Sequence, residues 1–428
     1  YGLFQALLSN MLYEGVRVVK AAGFTECKIG GMPIPKPWEF DIRFDEKTVL
    51  RAGFGTTIIP FPDNRYAYNF PVKQTEQFTA PNSFSAAGSM ANGFGPPTFF
   101  PIPESGVVDA SIPQLKNAQL FYVPSDLKEA KLHSWNVAFQ RQLPWNLVGE
   151  VAYVGNVGKG ITVTDYNINA GMVLGADNAG RPFNQLYGRT ANVQTWFRGD
   201  TNYHSLQAKL DRRFRNGFLL TTSYTLSRAE NYSDEAGIAT PADVERTFGP
   251  AGFDRTHVFA SAFIWDLPFF REDRSALGWI LGGWQFSGIF TAYSGTPINF
   301  TASGTTLGAP GNTQYPNVSG EPEVFGDIGP GQLYFDTAAF SAPAQGTWGN
   351  LTRNGSIRGP GFWNLDASLV KRLRFGDKVN AELRADAFNL TNTPHFNNPN
   401  GSFGSSTFGQ VTSSFGQRLI RFGARILF

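Results

Sequence analysis

The stretch that decides the fold lies near the end of the chain, where residues 380–386 read NAELRAD. Asn380, Glu382, Arg384 and Asp386 alternate there with three apolar residues. A period of two places successive side chains on opposite faces of a β-strand. The segment is therefore predicted to be a strand with one polar and one apolar face.

The same alternation recurs along most of the chain. It predicts eleven strands, near residues 38–44, 48–59, 132–143, 147–156, 201–214, 218–228, 255–267, 282–294, 362–374, 378–389 and 417–428. For two of them, 255–267 and 282–294, the pattern leaves open which side chains share the apolar face.

Short and long connections alternate between these strands. The short ones fall at 45–47, 144–146, 215–217 and 375–377, with a looser one at 268–281. The long ones fall at 60–131, 157–200, 229–254, 295–361 and 390–416. All long loops therefore gather at one end of the sheet, which is typical of a transmembrane β-barrel with short periplasmic turns and long extracellular loops.

Three-residue turns predict how the hairpins pair, because paired positions must then sum to an even number. The predicted pairs are Gln140 with Glu150, Lys209 with Ser223, and Ser368 with Arg384. Each pair joins polar residues, as expected if one face is polar throughout.

A soluble β-sandwich or propeller would also alternate. Such a fold needs turns of similar length at both ends and a packed interior. Here the connections are long at one end of the sheet and short at the other, and one face of the strands is repeatedly charged. Both features favour the membrane barrel.

Composition excludes several other classes. The 428 residues carry a net charge of +2, with 16% charged and 14% aromatic residues. A nucleic-acid-binding protein normally has a strongly basic surface, and a net charge this close to zero does not predict one. No apolar run reaches the roughly 18 residues of a membrane helix. One Cys and four scattered His predict no metal site. Because no catalytic or cofactor-binding motif is present, we expect neither an enzyme nor a cofactor.

Residues 1–37 do not follow the alternation. Phe4, Leu7, Leu8 and Met11 have helical spacing, so this segment is predicted to be a short helix, a loop or part of a plug. The remainder, 38–428, is predicted to form the barrel.

Candidate functional residues fall into three sets. Loop aromatics that could stack on a ligand are Phe78, Phe84, Phe94, Phe99, Phe100 and Trp348, although packing of the loops against one another or against the rim is the more common reason for such residues. Predicted lumen-lining residues are Glu150, Arg255, His257, Asp366, Arg384, Asp386, Arg421 and Arg425. A predicted assembly signal consists of Phe422, Ile426 and Phe428, on the apolar face of the last strand.

Several strings in the chain resemble the barrel of TonB-dependent outer-membrane receptors, and most closely the Oar-like group with a carboxypeptidase regulatory-like domain. They are LHSWNV (132–137), QRQLP (140–144), YHSLQ (203–207), RRF (212–214), FDRTHV (253–258), DLPF (266–269), GWQFSG (283–288), SGTP (294–297), AFNLTN (387–392) and RFGARILF (421–428). They occur in order over about 38–428.

The resemblance implies a 22-stranded barrel in the outer membrane of a Gram-negative bacterium, closed by an N-terminal plug. Its implied partners are outer-membrane lipid, the TonB complex, the barrel assembly machinery and an extracellular ligand. Eleven strands are half of that barrel, so we expect the chain to be the C-terminal half, with the signal peptide, TonB box and plug upstream.

Three functions remain open at this point. The first is TonB-energised ligand uptake. The second is an outer-membrane barrel for adhesion, secretion or surface assembly without uptake. The third is a soluble carbohydrate-binding β protein.

Overall fold

The computed structural model describes residues 17–20, 28–29, 32–33, 38–60, 72–73, 78–91, 93, 119–126, 128–234, 237–270, 275–355, 357–375 and 379–428. The helical spacing predicted near Phe4 lies outside these residues.

Eleven strands of six or more residues occur within the described part of the chain, one for each predicted strand. They are β1 (Trp38–Arg43), β2 (Thr48–Ile59), β3 (Ala130–Leu143), β4 (Leu147–Asn167), β5 (Val193–Arg215), β6 (Phe218–Asn231), β7 (His257–Asp266), β8 (Trp284–Tyr293), β9 (Phe362–Phe375), β10 (Val379–Phe388) and β11 (Leu419–Leu427).

Each of these strands pairs antiparallel with the next one in the chain, from β1 to β11. A short strand, Arg17–Lys20, continues the sheet beyond β1. Within the described residues this strand and β11 do not pair with each other, so the sheet is open. The fold is therefore an antiparallel barrel wall with two free edges.

The hairpin registers confirm two of the three predicted pairs. Gln140 lies opposite Glu150, and Lys209 lies opposite Ser223. The third prediction is wrong by two residues, because Ser368 faces Asp386. The β9 strand continues to Phe375 and β10 begins at Val379, one residue later than predicted at each end of the turn.

The turn between β5 and β6 is tighter than predicted. Arg215 pairs with Phe218, which leaves two turn residues, Asn216 and Gly217, after a β-bulge. Both have positive φ, 53° and 77°. An Asn-Gly turn of this kind matches the right-handed twist of the strands.

Both faces of the wall follow from the register. One face carries polar and charged side chains along β1–β5 and β9–β11, and we call it the polar face. The opposite face, the apolar face, carries large side chains that stay exposed, including Phe139, Val151, Leu206, Trp265, Leu369, Leu383 and Phe422.

At the long-loop end, four connections pack together into what we call the loop body: 168–192, 232–256, 294–361 and 389–418. Its buried core consists of Ile298, Phe300, Tyr334, Phe335, Phe340, Ile357 and Phe408. The rings of Phe335 and Phe408 lie 5.4 Å apart, edge to face. The loops thus contain a compact hydrophobic core of their own.

The remaining elements are short. Two helices occur among the described residues, α1 (Pro182–Tyr187) and α2 (Ala276–Leu281). Single 3₁₀ turns cover Pro144–Asn146, Asp177–Gly180, Val244–Thr247, Gly304–Thr306 and Thr337–Ala339. Short strands cover Lys28–Ile29, Met32–Pro33, Val72–Lys73, Gln119–Phe121, Gly249–Pro250, Asn317–Val318, Phe340–Ser341, His395–Phe396 and Ser414–Phe415. None of the described helices is long and apolar enough to cross a membrane.

Candidate functional site on the polar face and the loop body

Charged residues on the first half of the polar face pair with one another. Glu150 lies opposite Lys209, whose Nζ lies 2.8 Å from Asp211 Oδ2. Farther along the sheet, Arg51 Nε lies 3.3 Å from Asp41 Oδ1. These pairs are partly exposed to water, so each contributes little to stability. This part of the wall is hydrated and close to charge-neutral.

The second half of the polar face, on β10 and β11, also alternates in sign. Asp386 lies opposite Arg421, and Glu382 lies opposite Arg425. Arg384 Nε donates to Asp386 Oδ1 at 2.6 Å. The structure thus brings four of the predicted polar residues of this region onto one continuous face.

Asp366 connects this face to the loop body. Its Oδ1 accepts hydrogen bonds from Asn364 Nδ2 and from the backbone N–H of Asn389, both at 2.8 Å. Asn389 is the first residue after β10 and has a positive φ of 49°. The carboxylate therefore fixes the direction in which the chain leaves the wall.

A cavity of about 310 Å³ opens where the polar face meets the loop body. It is lined by Arg255, Thr296, Pro360, Phe362, Phe396, Asn397, Asn398 and Phe415. We call it the rim pocket. It combines one cation with amide groups and aromatic rings.

Arg255 is the charged group of the rim pocket. Its NH1 donates to the backbone oxygen of Ser294 at 2.6 Å. Its guanidinium carbon lies 5.6 Å from the Tyr293 ring centre and 5.5 Å from that of Phe362. Burial lowers the pKa of Arg255, but an arginine remains charged in proteins. The two rings and the carbonyl hold this cation at the edge of the cavity.

The predicted loop aromatics do not assemble into one cluster among the described residues. Phe78 and Phe84 are exposed, while Phe94, Phe99 and Phe100 lie outside the described residues. The Trp348 ring lies 5.1 Å from the guanidinium carbon of Arg246. Trp348 therefore packs within the loop body, and a role of these aromatics in ligand binding stays a prediction.

No group of three or more His, Cys, Asp or Glu side chains suited to a metal ion occurs in the part of the chain that the structure describes.

A known family shares these features of the chain: the strand order, the two faces of the wall, and long loops at one end with short turns at the other. A family model described as an outer membrane beta barrel domain matches residues 39–422. The chain belongs to this family. It is an outer-membrane β-barrel domain of a Gram-negative bacterium.

Solved structures similar to this barrel domain are outer-membrane receptors and transporters. The ferripyoverdine receptor of Pseudomonas aeruginosa matches 93% of this chain and 33% of its own, at 9% identity and a TM-score of 0.44. The outer membrane transporter YddB from Escherichia coli matches 91% of this chain and 40% of its own, at 7% identity and a TM-score of 0.48. The FrpB iron transporter from Neisseria meningitidis matches 93% of this chain and 40% of its own, at 10% identity and a TM-score of 0.42. The chain thus spans well under half the length of these proteins. No curated protein is a significant match.

Because an outer-membrane barrel turns its apolar band toward lipid, the family explains why large side chains stay exposed on the apolar face. Phe263 and Phe286 from neighbouring strands pack there with ring centres 5.3 Å apart. Phe290 and Trp363 continue this row at 6.0 Å. The aromatic surface needs no protein partner, since the bilayer covers it.

The prediction that His257 lies on the polar face is wrong. His257 pairs with Leu226, and its Nδ1 lies 2.8 Å from Tyr224 Oη, on the apolar face. The reason is the long connection before β7, which leaves the parity of that strand undetermined by the sequence. The register resolves it: Phe259 shares this face with His257. Arg255 precedes the strand, and its guanidinium lies against the rings of Tyr293 and Phe362, which belong to the polar face.

Sequence reasoning missed the residues that hold the loop body together. Arg353 NH2 donates to Asn231 Oδ1 at 2.7 Å and pairs with Asp234 Oδ2 at 3.2 Å. Arg358 pairs with the buried Asp254 carboxylate. The high density of Phe in 295–361 and 390–416 was the available signal for a core, although it has no period to reveal which residues are buried.

The predicted assembly residues lie on the outermost described strand. Phe422 and Ile426 pair with Ala385 and Ala381 on the apolar face, and Phe428 directly follows β11. All three side chains are strongly exposed. These positions face outward from the apolar face, and the role of the three residues as an assembly signal stays a prediction.

Proposed function

We propose that this chain is the C-terminal half of a 22-stranded TonB-dependent receptor of the Oar-like group, which takes up an extracellular ligand. The observation that carries the proposal is the open wall, in which eleven long strands and the short strand Arg17–Lys20 form one sheet with two free edges. Free strand edges expose unpaired backbone groups, so an outer-membrane barrel needs further strands to close this wall. In a 22-stranded barrel the remaining strands would close it.

In this proposal the polar face lines a wet lumen. Asp366, Arg384 and Asp386 are engaged in ion pairs or hydrogen bonds, and Glu150 lies opposite Lys209. In this proposal these residues hydrate the wall rather than hold substrate. No covalent chemistry is required of them. Uptake instead depends on ligand capture by the loops and on movement of an N-terminal plug by the TonB complex.

Ligand capture is assigned to the rim pocket. Arg255 offers a cation, Asn397 and Asn398 offer amide groups, and Phe362 and Phe415 offer apolar faces. This set suits a ligand that carries an acidic or hydrogen-bond-accepting group beside a flat or apolar part. The loop body then lies outside the cell, because long connections carry recognition.

The decisive experiment compares uptake in cells. Spent medium from wild-type, gene-deleted and tonB-deleted cells is analysed by untargeted mass spectrometry. We expect at least one compound to remain in the medium of both deletion strains and to disappear from that of the wild type. Unchanged media with an outer-membrane protein present would instead favour adhesion, secretion or surface assembly, and a protein extracted without detergent would favour the soluble carbohydrate-binding alternative.

Two arginines on the polar side provide matched variants for this experiment. Arg255→Ala should reduce uptake of the compound at normal surface abundance, because it removes the cation of the rim pocket. Arg425→Ala, near the short-turn end of β11, should leave uptake unchanged. If the two variants take up the compound at the same rate, the rim pocket does not bind the ligand.

The orientation is tested by epitope tags in the assembled protein. A tag after Gly320, in the loop body, should bind antibody on intact cells, whereas a tag at Asn216 should not. Surface labelling at Asn216 would invert the topology.

The assembly role of Phe422, Ile426 and Phe428 is part of the same proposal. Deleting Phe428 should leave more of the chain in the periplasm, where proteases degrade it, while Arg425→Ala should insert normally. Normal insertion without Phe428 would contradict a signal read by the barrel assembly machinery.

A further inference from the structure

Lys371 is unusual in its position on the wall. The residues of β9 that face the apolar side are Trp363, Leu365, Ala367, Leu369, Lys371, Leu373 and Phe375. Lys371 is the one charged residue among them, and it is only 5% exposed. A buried ammonium group on a lipid-facing surface requires hydrogen-bond partners.

These partners come from helix α2 and the residue that follows it. Lys371 Nζ donates to the backbone oxygens of Trp279 at 2.7 Å and Ile280 at 3.0 Å, and also to that of Gly282. It lies 5.3 Å from the centre of the Trp284 ring. These carbonyls are at the C-terminal end of α2, where unsatisfied oxygens and the helix dipole attract a cation.

Small residues let α2 approach the wall this closely. Gly278 and Gly282 are buried, one helical turn apart. A Cβ on Gly282 would collide with the backbone oxygen of Phe270 in the same connection, and a Cβ on Gly283 would lie 2.8 Å from the backbone oxygen of Arg372 in β9. Gly283 also has a φ of +69°. The glycines therefore place the backbone of α2, rather than its side chains, toward Lys371.

The opposite side of α2 is apolar and uncovered by the described residues. Leu277 is 60% exposed, Trp279 52% and Ile280 56%, and Leu281 is exposed as well. The Trp279 ring meets Phe375, on the apolar face of the wall, at 6.2 Å. The surface of α2 is thus continuous with the face that meets lipid.

We propose that α2 is an interfacial membrane element, embedded in the lipid leaflet at the short-turn end of the wall and fastened there by Lys371. A helix lying in the interface presents an apolar side to the acyl chains. Lipid is the occupant because the helix adds to the lipid-facing surface of the wall and its backbone carbonyls are already engaged. The inference goes beyond ligand uptake and rests only on the family and the two faces of the wall.

Spin labels test the location of α2 in the full protein assembled in outer membranes, in a background where Cys27 and any other cysteine are serine. A label at Leu277→Cys should be accessible to oxygen and several-fold less accessible to a water-soluble nickel complex than a label at Glu46→Cys, in an exposed turn. Nickel accessibility at 277 equal to that at 46 would overturn the proposal.

A second variant tests the role of Lys371. With the label at 277, Lys371→Met should increase label mobility, because α2 loses its three hydrogen bonds to the wall. Arg372→Met, the neighbouring residue on the polar face, should leave mobility unchanged and controls for folding. Unchanged mobility in Lys371→Met would overturn the fastening, and equal increases in both variants would do the same.

Discussion

The wall and the loop body use the same residue type in opposite ways. Phe422, in the wall, is 83% exposed, whereas Phe335, in the loop body, is 0% exposed. Each arrangement is stable because of what surrounds it. Lipid covers the apolar face of an outer-membrane barrel, while water surrounds the loops and drives their apolar side chains inward.

The difference shows what holds each region together. The wall depends on continuous ladders of backbone hydrogen bonds between neighbouring strands. The loop body depends on a packed core and on arginines that bridge separate connections, such as Arg353 and Arg358. Substitutions should therefore fail for different reasons in the two regions.

The largest effect is expected in the core of the loop body. Phe335→Ala should destabilise it by about 3–5 kcal/mol, because a fully buried ring leaves a cavity. Limited proteolysis of intact cells should then cleave the loops while the strands stay inserted. Phe84→Ala, at a fully exposed position, is the control. Equal cleavage in both variants would show that the core does not hold the loops.

In the wall, the corresponding test places a charge on each face of one strand. Leu206→Arg, on the apolar face of β5, should cost about 2–4 kcal/mol if the position is near the middle of the membrane. Gln207→Arg, its neighbour on the polar face, should insert nearly as well as the wild type. The readout is the folded fraction in the outer membrane. Indistinguishable yields would contradict the assignment of the two faces.

Alkaline pH should weaken the loop body before the wall. Burial raises the pKa of Tyr315 to about 12, and its hydroxyl has no hydrogen-bond partner among the residues that the structure describes. The neutral phenol is therefore favoured in the folded state, and stability present below pH 10 is lost as the pH rises toward 12, by on the order of 2–3 kcal/mol.

The measurement is protease resistance of the loops between pH 9 and pH 12, compared with that of Tyr315→Phe. The variant should lose this component of the pH dependence and fold normally near neutrality. An identical pH profile would show that Tyr315 does not contribute.

The smallest effect concerns the turn between β5 and β6. Gly217→Ala should cost about 1–2 kcal/mol, because alanine is strained in the left-handed conformation. Asn216→Gly, at the adjacent position of positive φ, should be nearly neutral. The measurement is the yield of folded protein in lipid, which should be lower for Gly217→Ala than for Asn216→Gly. Equal yields would indicate that residue 217 does not have a positive φ in the membrane.

The wall could be predicted from the sequence because its two faces impose a period of two. All eleven strands occur where that period predicted them, although β4 continues to Asn167 and β5 begins at Val193. Those extensions were missed because bulges near Thr195 and Gly199 interrupt the alternation. His257 was misplaced because a long connection does not fix parity.

The loop body could not be predicted in the same way. Phe300 and Phe408 meet in its core, with ring centres 6.3 Å apart, but they come from different connections and follow no period. The rim pocket likewise joins Arg255 to Asn398, residues that are distant in sequence. Only the registers of the strands bring them together.

The arginine bridge between Arg353 and Asn231 has a consequence for the order of folding. It joins residues 122 positions apart, whereas every connection between neighbouring wall strands is shorter and four of these connections are tight turns. Closing long loops costs chain entropy, and such contacts form late. We therefore expect the wall to be in place before the loop body closes over it, with a transient stage in which inserted strands carry open loops. Pulse-labelled cells treated with protease at increasing times should show this stage, and simultaneous protection of strands and loops would argue against it.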